Sequence, residues 1–192
     1  ACGVIRPSAT GAPARTEAVR IRVRVGQGPP ERFRLSLQGK YANVIRIVKG
    51  GVVTQKVVRE VPSEGGDVQL RGTDLCKLAV VERHHGTGNI GLGLLEGYGL
   101  WGGALALTIA HDSHNIIVLG DNNEDMSAAV AELRRIGGGM AVVGRGRVQS
   151  VPLDIAGLVS SLPADEYIRR SEALLQAAYD LGVSRDYEAF MS

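Results

Sequence analysis

The first third of the chain alternates hydrophobic and polar residues with the two-residue period of half-buried β-strands. Residues 19–25 show it most clearly, with Val and Ile at the odd positions and Arg at the even ones. A lead-in rich in Pro, Gly, Ala and Ser precedes them over residues 1–18. After a break at 26–30, the same reasoning predicts further strands at 33–37, 43–48 and 52–61.

Beyond residue 70 the pattern changes to continuous apolar runs, followed by segments in which the apolar residues have helical spacing. The runs at 75–81, 103–110 and 116–119 are typical of strands that are covered on both faces. Apolar residues at 126, 129, 130, 133 and 136 predict a helix over 124–136, capped by 121–123 and ended by Gly137. Shorter strands are expected at 140–143 and 147–153. A second amphipathic helix is expected from Pro163 to about Leu181.

These elements together predict an α/β (or α+β) layered domain with a mixed β-sheet, mostly β-strands in its N-terminal part. We expect that domain to span residues 36–192. Residues 1–35 would then be a lead-in with edge strands, or the end of a preceding β domain.

Composition narrows the classes of function. Hydrophobic residues make up 44% of the sequence and charged residues 22%, as in ordinary globular proteins. A net charge of +2 and an aromatic content of 4% argue against nucleic-acid partners. The long apolar stretch at 91–110 contains six glycines and Glu96, which argues against a membrane span. With two cysteines and no secretory leader in the sequence, a cytoplasmic location is expected.

All four histidines fall in two short blocks, ERHHGTGNIG at 82–91 and HDSHN at 111–115. Histidine is the side chain that is most often used for proton transfer and metal ligation near neutral pH. Each block follows an apolar run, so we expect both to lie at one end of a central sheet, where ligands bind in α/β folds. The candidate site residues are Glu82, His84, His85, Asn89, His111, Asp112, His114 and Asn115.

Three functional interpretations of these blocks compete with a structural one. Gly86, Gly88 and Gly91 form a GxGxxG motif, but four residues separate it from the strand, and the helix that a nucleotide site needs would contain three more glycines. His111-Asp-Ser-His114 offers metal ligands without a recognised spacing. The residue types also suit a pocket that hydrogen-bonds a flat polar heterocycle. In the structural interpretation, the histidines satisfy backbone groups in glycine-rich turns.

Longer blocks of the sequence resemble the C-terminal domain of bacterial adenine deaminases. They are KLAVVERHHGTGNIGLGLLEGYGL at 77–100, AHDSHNIIVLGDNNEDM at 110–126, and the later GGGMAVV and PLDIAGLVSSLP. The resemblance implies hydrolysis of adenine to hypoxanthine and ammonia in purine salvage. It also implies that a preceding amidohydrolase barrel, which is absent from this chain, carries a divalent metal (manganese, iron or zinc).

The resemblance also shapes the expected roles of the site residues. This domain would complete the active site or the dimer of that barrel, and a homo-oligomer is expected. We assign His84, His85 and His114 to catalysis, and Glu82, Asn89, His111, Asp112 and Asn115 to substrate binding. No metal ligand is assigned within this chain. The alternatives are a purine- or nucleotide-binding module without catalysis and a purely structural dimerisation domain.

Overall fold

The computed structural model describes residues 23–26, 28–49 and 53–190. An eight-stranded sheet dominates these residues. Its strands are β1 (Tyr41–Ile47), β2 (Thr54–Glu60), β5 (Leu75–Val81), β6 (Ile90–Glu96), β7 (Gly103–Leu107), β8 (Ile116–Gly120), β9 (Gly139–Gly144) and β10 (Arg147–Pro152). Their spatial order is β10-β9-β7-β8-β5-β6-β1-β2. The pair β1 and β6 is parallel and the other neighbours are antiparallel, so the predicted mixed sheet is confirmed.

One face of the sheet is covered by helix α1 (Asn123–Ile136), which begins where the sequence predicts it. The side chain of Asn122 caps the helix by accepting a 2.8 Å hydrogen bond from the backbone N–H of Asp125. Gly137 ends it in the left-handed conformation, with φ at 81°. The buried stripe of α1, which includes Met126 and Leu133, packs on alternate residues of β5, β7, β8 and β9. Full burial of each such side chain stabilises the fold by about 1.5–3 kcal/mol.

The other face is covered by helix α2 (Ala164–Asp180) and the segment that follows it. Pro163 precedes the first turn, as predicted. Leu174 and Ala178 are the buried residues of α2, and they share a core cluster with Leu105 and Val142 of the sheet. The helix packs against β9 and β10, which form one side of the sheet.

A small hairpin of β3 (Ser63–Glu64) and β4 (Asp67–Val68) packs against a third hydrophobic core cluster. The hairpin also takes part in a buried ionic network. Lys77 of β5 is only 2% exposed, and its Nζ lies 2.7 and 2.8 Å from the two carboxylate oxygens of Asp67. Nζ also donates to Oδ1 of Asn123 at 2.7 Å, and Nδ2 of Asn123 donates to Asp67. The network joins the hairpin, the central strand and the start of α1.

Two of the predicted N-terminal strands need correction. Residues 19–22 of the first lie outside the described residues, and 23–25 do not form a strand of the sheet, although Val23 and Val25 are buried. The prediction of a strand at 33–37 is wrong, because a 3-10 turn occupies Pro30–Phe33. The backbone N–H of Leu35 then donates to the Asp67 carboxylate at 2.8 Å, so it does not take part in a strand ladder.

The glycine-rich stretch after the first histidine block contains a strand that the sequence pattern does not predict. Strand β6 places Ile90, Leu92 and Leu94 on the buried side, and Gly91 and Gly93 on the opposite side. The motif GxGxxG therefore leads into a strand, and the helix that a dinucleotide site requires is not formed there. Within the described residues, no helix is long and apolar enough to cross a bilayer.

Candidate functional site: the histidine edge of the sheet

The two histidine blocks lie side by side at one end of the sheet. Val81, the last residue of β5, pairs with Ile116, the first residue of β8, and the β7 strand ends at the same edge. The loops at 82–89 and 108–115 therefore leave the sheet together, and we call these two loops the histidine edge. Their placement agrees with the prediction that the two blocks converge, whereas the roles of the individual residues stay predictions.

Glu82 holds the first loop in shape. Its carboxylate accepts hydrogen bonds from the backbone N–H groups of His84, His85 and Thr87 and from the Thr87 hydroxyl, at 2.5 to 3.0 Å. The backbone N–H of Glu82 also donates to the carbonyl of Asn89 at 3.0 Å, which closes the turn. Both oxygens of Glu82 are thus occupied inside the loop.

These donors favour the ionised form of Glu82. The backbone N–H of His85, followed by those of Thr87 and His84 and the Thr87 hydroxyl, lowers the pKa of this carboxyl to about 2 against the opposing effect of desolvation. The ring of His85 adds a contact of 3.5 Å between its Nδ1 and the carboxylate. Glu82 is therefore a charged anchor of the loop throughout the neutral range.

Arg83 ties the first loop to the second and was not among the predicted site residues. The residue is 2% exposed, and its Nε donates to the carbonyl of His114, while Nη2 donates to the carbonyl of Ala156 at 3.1 Å. Burial lowers the pKa of the guanidinium. The hydroxyl of Thr108 stabilises the same region by donating a 2.6 Å hydrogen bond to the carbonyl of Gly157. An arginine inside a polar, glycine-rich block gives no sequence signal of burial.

The four histidines have different environments. His84 donates through Nε2 to the carbonyl of Ser113 at 2.8 Å, so it bridges the two loops. His85 is exposed beside Glu82. His111 and Asp112 contact each other at 3.0 Å, but their side chains are 85% and 89% exposed. Asn89 is also exposed, on the turn before β6.

His114 and Asn115 carry polar atoms that are buried without a partner. Nδ1 of His114 and Oδ1 of Asn115 are both inaccessible to water, and neither has a hydrogen bond to a described residue. His114 also has a left-handed backbone, with φ at 49°, as does Asp112 with φ at 71°. Most buried polar atoms in proteins are hydrogen-bonded, and among the described residues a further exception is Oγ of Ser171 in α2.

The donor atoms of the histidine edge do not form a metal site. Across the described ranges, no group of three or more His, Cys, Asp or Glu side chains is placed to hold a metal ion. The Nε2 of His84 is already used as a donor, and His111 with Asp112 offers only two exposed ligands. Three or four convergent ligands are the usual requirement for zinc or a related ion.

Comparison with known proteins shows which family the chain belongs to. The sequence model of the adenine deaminase C-terminal domain matches residues 51–192. The chain belongs to the adenine deaminase C-terminal domain family. It is 45% identical over 189 residues to adenine deaminase 2 of Carboxydothermus hydrogenoformans, covering 97% of this chain and 33% of that protein. It is 47% identical over 177 residues to the adenine deaminase of Nitratidesulfovibrio vulgaris, covering 91% of this chain and 31% of that protein.

A more distant relative is covered by this chain to a similar extent. The adenine deaminase of Methanothrix thermoacetophila is 38% identical over 163 residues, which are 84% of this chain and 29% of that protein. The chain thus spans about a third of the length of these relatives. The family relationship confirms the resemblance that the sequence blocks indicated.

Proposed function

We propose that this chain is the C-terminal part of an adenine deaminase, which hydrolyses adenine to hypoxanthine and ammonia. In this proposal the histidine edge forms one wall of the active site of a preceding amidohydrolase barrel. The family relationship supports the reaction, because the relatives are named adenine deaminase. The whole protein would act on the free base in cytoplasmic purine salvage and would assemble as a homo-oligomer.

The observation that carries this role is the convergence of the two histidine loops at one end of the sheet. The exposed polar side chains on these loops are those of His85, Asn89, His111 and Asp112, and His114 is half-buried among them. Imidazole, amide and carboxylate groups can donate hydrogen bonds to the polar edge of a purine or accept them from it.

The remaining candidate residues receive supporting roles in the same proposal. Glu82 positions His84 and His85 by holding their backbone N–H groups. His85, Asn89, His111 and Asp112 are exposed at the rim of the edge. There they are free to meet the substrate or the facing wall of the site. His84, His85 and His114 are the residues of this chain that we assign to proton transfer or hydrogen bonding during the reaction.

The donors among the described residues do not fit the divalent metal. Hydrolytic deamination requires an activated water molecule, and the histidine edge lacks three convergent ligands among its described residues. We therefore assign manganese, iron or zinc, and the water, to the preceding part of the polypeptide. The residues described here bind and orient the substrate.

A direct assay tests the proposal. The complete protein, loaded with metal, should release ammonia from adenine, and the 192-residue chain alone should release none. Absence of turnover by the complete protein would leave a purine-binding module or a structural domain as the function. Turnover by the 192-residue chain alone would contradict the division of the active site between two parts.

A further inference from the structure

A third segment of the chain lies at the same end of the sheet as the two histidine loops. Strand β10 ends at Pro152, which pairs with Gly139 at the start of β9. The next residue of β9, Met140, pairs with Leu107 at the end of β7. The segment 153–162 therefore leaves the sheet beside the loop at 108–115, and we call this segment the third loop.

Hydrogen bonds inside the third loop close it into a compact turn. The carboxylate of Asp154 accepts hydrogen bonds from the backbone N–H and the hydroxyl of Ser161, both at 2.9 Å. The backbone N–H of Ile155 donates to the carbonyl of Val159 at 3.0 Å, and the N–H of Val159 donates back to the carbonyl of Ile155 at 3.1 Å. The position of this turn relative to the histidine loops is therefore set by contacts from outside it.

The buried guanidinium of Arg83 makes such contacts between the second loop and the third. Its Nε donates to the carbonyl of His114, and its Nη2 donates to the carbonyl of Ala156 at 3.1 Å. A Cβ atom added to Gly157 would stand 2.8 Å from Nη1 and 3.1 Å from Cζ of Arg83, so glycine lets the backbone come this close. The 2.6 Å hydrogen bond from the hydroxyl of Thr108 to the carbonyl of Gly157 adds a second link between the same two loops.

Both carbonyls that Arg83 holds belong to residues with a left-handed backbone. The φ angle is 49° at His114 and 57° at Ala156, a conformation that non-glycine residues rarely adopt. Among the described residues the other non-glycine cases are Asp112, also in the second loop, and Arg145 on the turn between β9 and β10. Such conformations persist where the surrounding contacts impose them. The two hydrogen bonds from Arg83 are contacts of this kind.

We propose that Arg83 is a positioning residue of the proposed active site, which fixes the backbone of His114 and thereby the direction of its imidazole. The same guanidinium makes the third loop part of the histidine edge. The inference rests on the proposed function, in which His114 meets the substrate. Arg83 is only 2% exposed, so it acts through His114 and does not contact adenine itself. Lysine would keep the charge, but its compact ammonium lacks the planar fork that reaches both carbonyls.

Two substitutions in the complete, metal-loaded protein test the positioning role from opposite sides. Arg83→Lys removes the fork, and Gly157→Ala places a Cβ atom against the guanidinium. Because each misaligns the imidazole of His114, each should lower kcat for adenine, counted per bound metal ion, by about 10- to 100-fold.

Each substitution has a matched control at the opposite end of the sheet. Gly146 has φ at 73°, against 72° at Gly157, and a Cβ atom added to Gly146 would meet no heavy atom within 4 Å. Gly146→Ala therefore introduces the same left-handed alanine without touching Arg83. Arg71→Lys makes the other change on an exposed turn before β5. Both controls should keep the kcat of the wild type.

A double variant separates positioning from general stabilisation. If Arg83 acts through His114, Arg83→Lys should change kcat/KM by less than about twofold in a protein that already carries His114→Asn. Equal losses with and without His114→Asn would overturn the proposal, because they would show that Arg83 does not act through the imidazole. A kcat within about twofold of the wild type for both Arg83→Lys and Gly157→Ala would overturn it as well. If Arg83→Lys does not fold, Gly157→Ala supplies both comparisons.

Hydrogen exchange of backbone amides, measured by mass spectrometry on the complete protein, tests the link between the loops without reference to activity. The N–H groups of His114 and Val159 are hydrogen-bonded within their own loops, and in Arg83→Lys both should exchange about 10-fold faster. Faster exchange in only one loop, or in neither, would contradict the link. If the complete wild-type protein releases no ammonia from adenine, the proposed function fails, whereas faster exchange in both loops would still support the link through Arg83.

Discussion

At the scale of single residues, the histidine edge separates groups that hold the loops from groups that stay exposed. Glu82 accepts four hydrogen bonds within its own loop, and Arg83 donates hydrogen bonds to the carbonyls of His114 and Ala156. The side chains of His85, His111 and Asp112 are exposed on the same loops. Glu82 and Arg83 therefore fix the geometry of the loops, and the exposed side chains can meet a ligand.

Replacement of Glu82 tests the anchoring role through its pH dependence. The hydrogen bonds that hold the pKa of Glu82 near 2, below the usual 4.5, stabilise the folded state fully above pH 4.5. That contribution is lost as the pH falls from about 4.5 towards 2. Glu82→Gln should therefore lower the unfolding temperature at pH 7, and the difference from the wild type should shrink over this range.

The control for this measurement is Glu60→Gln, which changes an exposed carboxylate that has no side-chain hydrogen bond within the described part of the chain. It should leave the unfolding temperature unchanged at pH 7. A difference between wild type and Glu82→Gln that stays constant from pH 7 down to pH 2.5 would show that the carboxylate charge does not hold the loop.

At the scale of elements, the sequence predicted those whose burial follows one simple period. Strand β5 and helix α1 were predicted within a residue of their bounds, because a continuous apolar run and a 3.6-residue stripe are each characteristic. Strand β6 was missed because Gly91 and Gly93 occupy its open side, so only Ile90, Leu92 and Leu94 carry the alternation. The strand expected at 33–37 failed because tertiary contacts with Asp67 satisfy the backbone there.

The candidate site was also only partly predictable from the sequence. Convergence of the histidine blocks was predictable, since both follow apolar strands. The sequence could not separate the exposed His111 from the partly buried His114, because their burial depends on loop backbone angles and on Arg83. Lys77 illustrates the same gap, because a single lysine in an apolar run does not reveal that Asp67 and Asn123 surround it.

The Lys77 network gives a test at this scale. Asp67→Ala would leave the buried ammonium of Lys77 without its carboxylate, so we expect the free energy of unfolding to fall by about 3 kcal/mol. Chemical denaturation of the 192-residue chain measures this free energy of unfolding. Asp74→Ala, at an exposed position nearby, should change it by less than about 0.5 kcal/mol. Equal effects of the two substitutions would show that the network does not join the hairpin to the core.

At the scale of the whole molecule, the two histidine loops form one polar edge of the eight-stranded sheet. Helix α1 covers one face of that sheet, and helix α2 covers part of the other. In the proposed function, the metal-bearing part of the complete protein faces the histidine edge.

Substitution of His114 in the complete enzyme tests this account most directly. His114→Asn removes the imidazole but suits the left-handed backbone, and Arg145→Asn is the matched control, with φ at 52° on an exposed turn at the opposite end of the sheet. Loss of one hydrogen bond between the imidazole and the substrate should lower kcat/KM for adenine by about 10- to 100-fold, with the metal content unchanged. The Arg145→Asn control should match the wild type in both measurements. A value of kcat/KM for His114→Asn within about twofold of the wild type, or loss of metal in parallel with activity, would contradict the account.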